Sequence, residues 1–290
     1  MPEPIALMLP PLAVEEAVRA ALAEDLGRAG DITTMATIGD EKTATAVINA
    51  RDPGILSGIE CAQSAFKIID SYLSFDTDVH DGSALAADTE IATISGSARS
   101  ILTAERVALN FLIRMSGIAS YTAVFQKRIA HTSAKICDTR KTVPGMRMFD
   151  KYAVRCGGGA NHRFGLDDAI LIKDNHIAVA GGVALAIKAA QSYVGHTVKI
   201  EVEVDNLNQF DEALAAKPDI IMLDNMSTAD MEDAVDRKNR SDHQPALEAS
   251  GNVDLDSVKA IAETGVDLIS TSKITMAAPP IDLGLDISIS

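Results

Sequence analysis

VKIEVEVDNLNQFDEALAAKPDIIMLD, residues 198–224, decides the fold. An apolar run with period-two alternation (VKIEVEV) gives way to LNQFDEALAA, whose apolar positions fall at helical spacing. A second apolar run, DIIMLD, follows. A strand, a helix and a strand in series predict parallel strands joined by a crossover helix. Outward from this unit the rhythm continues in AKIC (134–137), DAILIK (168–173), ALEAS (246–250) and DLIST (267–271), with helical stretches GGVALAIKAAQSY and LDSVKAIAET between them. The runs close on polar groups: Arg140-Lys141, Lys173, Glu203, Asp224, Ser250 and Thr271-Ser272-Lys273. A β/α barrel carries its active site at the C-terminal ends of its strands, whereas an open doubly wound sheet uses only a switch point. Charges at nearly every strand end favour the barrel. Six strands against the usual eight make it incomplete.

The preceding region reads as α+β. Residues 11–26 predict a helix and GRAGDITT a loop. ATAVINARDPGILSG predicts a strand pair broken at Asp52-Pro53-Gly54. Glu60 to Tyr72 predicts a helix, and TEIATISGS (89–97) a strand. A long helix is expected from Thr103 to about Ala130, with Thr103 as N-cap and Glu105 in the first turn. Arg106 would then add a cation to the positive end of the helix dipole. Such a residue either meets an anion or is tolerated by solvent. The expected organisation is an N-terminal α/β sandwich domain over 1–115, a barrel over 116–275, and a tail over 276–290 that packs back on the first domain.

Charge says what the barrel holds. The chain has net charge −15, yet Arg99 to Lys173 carries 13 of the 26 Lys and Arg and 5 of the 41 Asp and Glu. That segment is therefore +8 and the remainder −23. Its densest part is CDTRKTVPGMRMFDKYAVRCGGGANHRFGLDDAILIKDNH, residues 137–176. Charge separated this sharply points to a bound anion. The acidic balance argues against nucleic acid. No run of about 18 or more uninterrupted apolar residues appears, so no membrane span is expected. The opening MPEPIALMLPPLAVEEAV lacks the basic region of a secretory signal, and Cys61, Cys137 and Cys156 are few and scattered. Both favour a reducing, cytoplasmic setting.

Arginine suits planar carboxylates and lysine acts as a point charge, so Arg140, Lys141, Arg163 and Lys173, with Arg106 and His162, suit a carboxylate-bearing ligand. Glu201 and Glu203 share one strand face while Val202 and Val204 point away. With Asp224 on the next strand, Glu203 suits Mg²⁺ beside a phosphate; salt bridges to nearby cations are the other reading. Glu248-Ala249-Ser250-Gly251-Asn252 leads into a helix expected near Asp254, and Ser270-Thr271-Ser272 follows the last strand. Such paired loops are a recurrent phosphate site. The triplet Gly157–Gly159 fits neither a dinucleotide fingerprint nor a P-loop. The chemistry suggested is displacement at a phosphorylated sugar, with carboxylates steadying a developing cation.

The motifs EDLGRAGDITT, ERVALNFLIRMSGIAS, DTRKTVPGMR, KYAVRCGGGANHRFGLDDAILIKDNHI, EVEVDN, MLDN and LEASGN, spread over nearly the full length, resemble the quinolinate phosphoribosyltransferases. The resemblance implies a pentosyltransferase of the sandwich-plus-barrel fold, joining quinolinate to 5-phosphoribosyl-1-diphosphate with Mg²⁺. The products would be nicotinate mononucleotide, diphosphate and CO₂, for NAD synthesis. It implies that Arg106, Thr139, Arg140, His162, Arg163 and Lys173 hold the acceptor and that Lys141 lies between ring and donor. Glu203 and Asp224 would serve the ribose hydroxyls and Mg²⁺; Ser250, Gly251 and Asn252, with Thr271, Ser272 and Lys273, would hold the 5-phosphate. Lys141, Glu203 and Asp224 are the implied catalytic residues. The family also implies a homodimer or a hexamer built as a trimer of dimers, with Arg106 supplied by the neighbouring subunit. STSKIT departs from the family's glycine-alanine pair and puts bulk at the phosphate contact. The alternatives are a molybdenum-transport-associated homologue with another acceptor, a Schiff-base aldolase using Lys173, and a phosphometabolite-binding protein without turnover.

Overall fold

The computed structural model describes residues 8–289. Residues 1–7, part of the stretch read above as no secretory signal, lie outside the described residues. In chain order the elements are α1 (Pro11–Leu26), α2 (Ile32–Thr37), β1 (Thr43–Ala50), β2 (Gly54–Ile55), α3 (Ile59–Ile69), β3 (Ser74–Asp76), β4 (Ala84–Leu85), β5 (Glu90–Ser97) and α4 (Ala98–Arg128). Then follow β6 (Lys135–Cys137), α5 (Arg147–Cys156), β7 (Ile170–Ile172), α6 (Asp174–Ala180), α7 (Val183–Tyr193), β8 (Ile200–Val204), α8 (Leu207–Ala216), β9 (Ile220–Asp224) and α9 (Thr228–Arg240). The chain closes with β10 (Ala246–Ser250), α10 (Val258–Glu263), β11 (Leu268–Ser270), α11 (Lys273–Met276) and β12 (Leu283–Ile289).

Two compact units interleave along this order. Of the described residues, one takes 8–123, 148–158 and 278–289; the other takes 124–147 and 159–277. The first is built on an antiparallel sheet ordered β12-β1-β5-β3, with β12 pairing along β1. β1 alternates exposed and buried, sending Ala44, Ala46, Ile48 and Ala50 inward. The two strands expected around Asp52-Pro53-Gly54 both exist but are not partners, since β2 pairs with β4. The expected loop GRAGDITT ends in the first three residues of α2, because the Asp31 carboxylate accepts from Thr34 N–H and caps a helical turn.

The long helix also begins earlier than expected, at Ala98. Thr103 is inside it and donates its hydroxyl to Asp31 Oδ2. Arg106 therefore lies more than two turns from the N-terminus, and the dipole argument for it does not hold. By length and composition α4 could cross a bilayer, but 61% of its apolar window is buried in the protein. Gly157 explains the glycine triplet: a Cβ there would stand 2.2 Å from Ala119 O and 2.8 Å from Thr122 Cβ on α4. Gly157 thus lets the backbone approach the helix closely.

The second unit is a six-stranded sheet ordered β6-β11-β10-β9-β8-β7, with every neighbouring pair parallel. All six expected runs are strands. β6 and β7 follow each other in sequence yet lie at opposite edges, so the barrel is incomplete along that seam. β8 is buried at Ile200, Val202 and Val204, as a strand covered by helices requires. The crossover helices start on caps: Asn206 accepts from Asn208 and Gln209 N–H before α8, and Ser227 from Asp230 N–H before α9. The parallel arrangement sends all six C-terminal ends to one side.

Candidate active site

Those ends surround a cavity of about 800 Å³. From β6 come Thr139, Arg140 and Lys141, from β7 Lys173, from β8 Glu203, and from β9 Asp224. From β10 come Ser250, Gly251 and Asn252, and from β11 Thr271, Ser272 and Lys273; His162 and Arg163 arrive on the segment after α5. Every residue the sequence proposed for the site lines this one cavity except Arg106, an exposed residue of α4 in the other unit. The cation-rich segment divides likewise. Arg99 and Arg114 settle inside the first unit, on Ile38 O and Asp150 respectively.

The arginines are prepared for a partner. Arg140 Nε and Arg163 Nε are buried and donate to no hydrogen-bond partner among the described residues. Burial, with Arg140 nearby, lowers the Arg163 guanidinium pKa from its ordinary value, against the pull of Glu201 and Asp168. Arg163 Nη1 donates to Ala169 O at 3.1 Å, which fixes the guanidinium while leaving Nε unused. Cations held this way lose solvation and regain it from an anion.

His162 borders the cavity and is itself held by its neighbours. Its Nδ1 accepts from Arg163 N–H at 2.7 Å, and Nε2 lies 2.9 Å from Glu201 Oε2 and 3.7 Å from Glu248 Oε1. Both ring nitrogens face protein groups, so the ring orients the Arg163 backbone over two buried acids. Burial, with Glu201 beside it, pushes the Glu248 carboxyl up to about 7. Glu201 shares Glu203's face, as expected, but sits lower and contacts the histidine.

Glu203 and Asp224 stand at the rim. Lys173 Nζ is 2.7 Å from Glu203 Oε2, so the salt-bridge reading is realised there. Asp224 Oδ2 accepts from Asn225 Nδ2 at 2.7 Å. Two carboxylates on adjacent strand ends form a hard oxygen set that fits Mg²⁺, and Lys173 meets the Glu203 member of it.

The phosphate loops differ from expectation in one respect. The helix expected near Asp254 begins at Val258, because Asp254 Oδ1 accepts from Asp256 and Ser257 N–H and spends those donors on a turn. The turn from Ser250 to Val253 borders the cavity instead. Gly251 has φ 97° and approaches Asn225 so closely that a Cβ would stand 2.2 Å from Asn225 Oδ1. At the departure from the family pattern, Ser272 has an ordinary φ of −79°, and Lys273 reaches Asp254 Oδ2 at 3.3 Å. Asn225, Leu171 and Met222 also line the cavity and went unassigned from sequence. Apolar residues inside a strand carry no signal that separates a ligand wall from a core.

The quinolinate phosphoribosyl transferase N-terminal domain model matches residues 31–116, and the C-terminal domain model of the same family matches residues 118–286. The chain belongs to the quinolinate phosphoribosyl transferase family. It is 40% identical over 280 residues to the nicotinate-nucleotide pyrophosphorylase (carboxylating) of Mycobacterium leprae, covering 95% of this chain and 97% of that protein. The solved nicotinate-nucleotide pyrophosphorylase from Francisella tularensis superposes with a TM-score of 0.92 at 43% identity, over 97% of this chain and 98% of that one. NadC from Streptococcus pyogenes gives 0.94 at 38% identity, over 98% and 100%. As a quinolinate phosphoribosyl transferase family member the chain sides against the aldolase reading. Lys173, the residue that reading needs, is ion-paired with Glu203.

Proposed function

We propose that this chain transfers the phosphoribosyl group of 5-phosphoribosyl-1-diphosphate to quinolinate, releasing diphosphate and CO₂ and forming nicotinate mononucleotide for NAD synthesis. Full-length kinship with pyrophosphorylases of that name supports the reaction class. The observation that carries the acceptor is the pair of buried, unpartnered Nε atoms on Arg140 and Arg163. A dicarboxylate supplies what both guanidiniums lack.

Arg140, Arg163 and Lys173 hold the acceptor's carboxylates, with Thr139 at their edge and His162 fixing the Arg163 backbone. Lys141 sits where ring meets ribose. Ser250, Gly251, Asn252, Thr271, Ser272 and Lys273 receive the 5-phosphate. Glu203 and Asp224 take the ribose hydroxyls, and their oxygens would hold Mg²⁺. Bound there, the ion would neutralise the donor's diphosphate. The ring nitrogen forms its bond to C1 as the bond to diphosphate breaks through an oxocarbenium-like state, which the two carboxylates steady. The bond to the 2-carboxylate then breaks. CO₂ departs, and the electron pair left at C2, stabilised by the positive ring nitrogen, takes a proton. The cations must hold that carboxylate without overstabilising the ground state. Arg106, exposed on α4, is read as the contribution of a partner subunit in a homodimer or in a hexamer built as a trimer of dimers, and the enzyme as cytoplasmic.

The test is incubation with quinolinate, 5-phosphoribosyl-1-diphosphate and Mg²⁺, in parallel with nicotinate as acceptor, read by mass spectrometry. Nicotinate mononucleotide from quinolinate alone supports the reading. Product from nicotinate alone, or from neither, contradicts it.

A further inference from the structure

The barrel is unpaired between β6 and β7, and the acceptor-gripping cations flank that seam. Among the described residues, an isolated bridge, Cys137 with Ala160, pairs backbone there. Side chains supply the rest. The Asp138 carboxylate, fully buried, accepts from Asn161 Nδ2 at 2.6 Å and from His162 N–H at 2.9 Å. Farther toward the cavity, one guanidinium spans both flanks. Arg147 Nε donates to Thr142 Oγ1 at 3.2 Å, Nη1 to Phe164 O at 3.1 Å and Nη2 to Arg140 O at 3.4 Å. The acceptors are neutral oxygens, two of them on the backbone of Arg140 and of the residue after Arg163. Asp168 holds the far side of the same turn, accepting from Phe164 and Gly165 N–H.

We propose that Arg147 is a positioning residue that fastens the Arg140 segment to the Arg163 segment across the open seam and so sets the spacing of the two guanidiniums for a dicarboxylate. This rests on the acceptor assigned above. A planar fork with several donors can hold three oxygens at once; a lysine ammonium of similar reach has no fixed fork and cannot span them. Backbone drift of about an ångström at such a strap misaligns both arginines, a displacement that costs about 10²-fold in an oriented site. The loops holding the donor's 5-phosphate hang from β10 and β11; β11 pairs with β6, but the three acceptors of Arg147 lie outside those loops, so the larger loss falls on the acceptor.

Calorimetric titration of quinolinate, and separately of 5-phosphoribosyl-1-diphosphate, into wild type, R147M and R147K tests this. Expected is a Kd for quinolinate raised about tenfold or more in both variants, with donor affinity within about twofold, one decade being 1.4 kcal/mol. Wild-type affinity in R147K, or equal weakening of both ligands, overturns the inference. R147K keeps stem and charge and decides the matter should R147M fail to fold. Absence of quinolinate binding by wild type instead removes the acceptor assignment and the inference with it.

Discussion

The two sheets solve opposite problems with the same kinds of residue. In the antiparallel unit, buried charge is settled internally. Arg114 forks onto Asp150 at 3.0 and 2.8 Å, and Asp81 caps α3 through Gly58 and Ile59 N–H while accepting from the Tyr152 hydroxyl. In the parallel unit, Arg140 Nε, Arg163 Nε, Glu201 Oε1 and Glu248 Oε1 are buried without a hydrogen-bond partner among the described residues. A fold that leaves charged atoms unmet in one unit and pairs them in the other has kept the first for a ligand. The same guanidinium chemistry is therefore structural at Arg114 and, on the proposed function, ligand-holding at Arg140 and Arg163.

The sharpest way to break this contrast is to exchange its consequences. Arg114→Met removes the forked pairing of the fully buried Asp150 carboxylate, so stability should fall by about 3 kcal/mol in denaturant melts, while the folded fraction keeps its KM for quinolinate. Arg163→Met should do the reverse. Its kcat/KM with quinolinate should drop about 10²-fold, in line with about 1.5–3 kcal/mol for a charged hydrogen bond, and its melting midpoint should hold. Loss of stability in the second variant and of affinity in the first would dissolve the distinction.

Glu248 sharpens the comparison through pH. Its folded pKa of about 7 exceeds the ordinary 4.5, so the folded chain binds the proton more tightly and loses stability as pH rises between those values. Glu248→Gln removes the ionisation. Its melting temperature should gain on wild type between pH 5 and 8, and parallel curves would mean that the acid is not held protonated. The smallest effect belongs to Lys273→Ala, expected to raise the donor's KM by about threefold, the order of an exposed charge contact. An unchanged KM would return the lysine to its Asp254 pairing alone.

The barrel was legible because each strand is an apolar run closed by a polar residue and separated from the next by a helical stretch. The period of the chain changes at each boundary. The site was legible for the same reason, since parallel strands deliver their ends together. Position within long elements was not. Thr103 resembles an N-cap, but the helix runs back to Ala98 because its turns before Thr103 bury Ala98 and Ile101. Asp254 looks like the start of a helix, yet its carboxylate captures the nearest N–H groups. Long-range contacts left no trace either. Nothing local in PGMR says that Arg147 reaches Phe164, and Glu201 reads like Glu203 until His162 is seen above it.

The central claim is that the unmet cations hold a dicarboxylate that loses one carboxyl group. Quinolinate carrying ¹³C in its 2-carboxyl group, turned over with 5-phosphoribosyl-1-diphosphate and Mg²⁺, tests it directly. The account expects labelled CO₂ in a one-to-one ratio with unlabelled nicotinate mononucleotide. A nucleotide that keeps the label, or CO₂ formed without nucleotide, would contradict it.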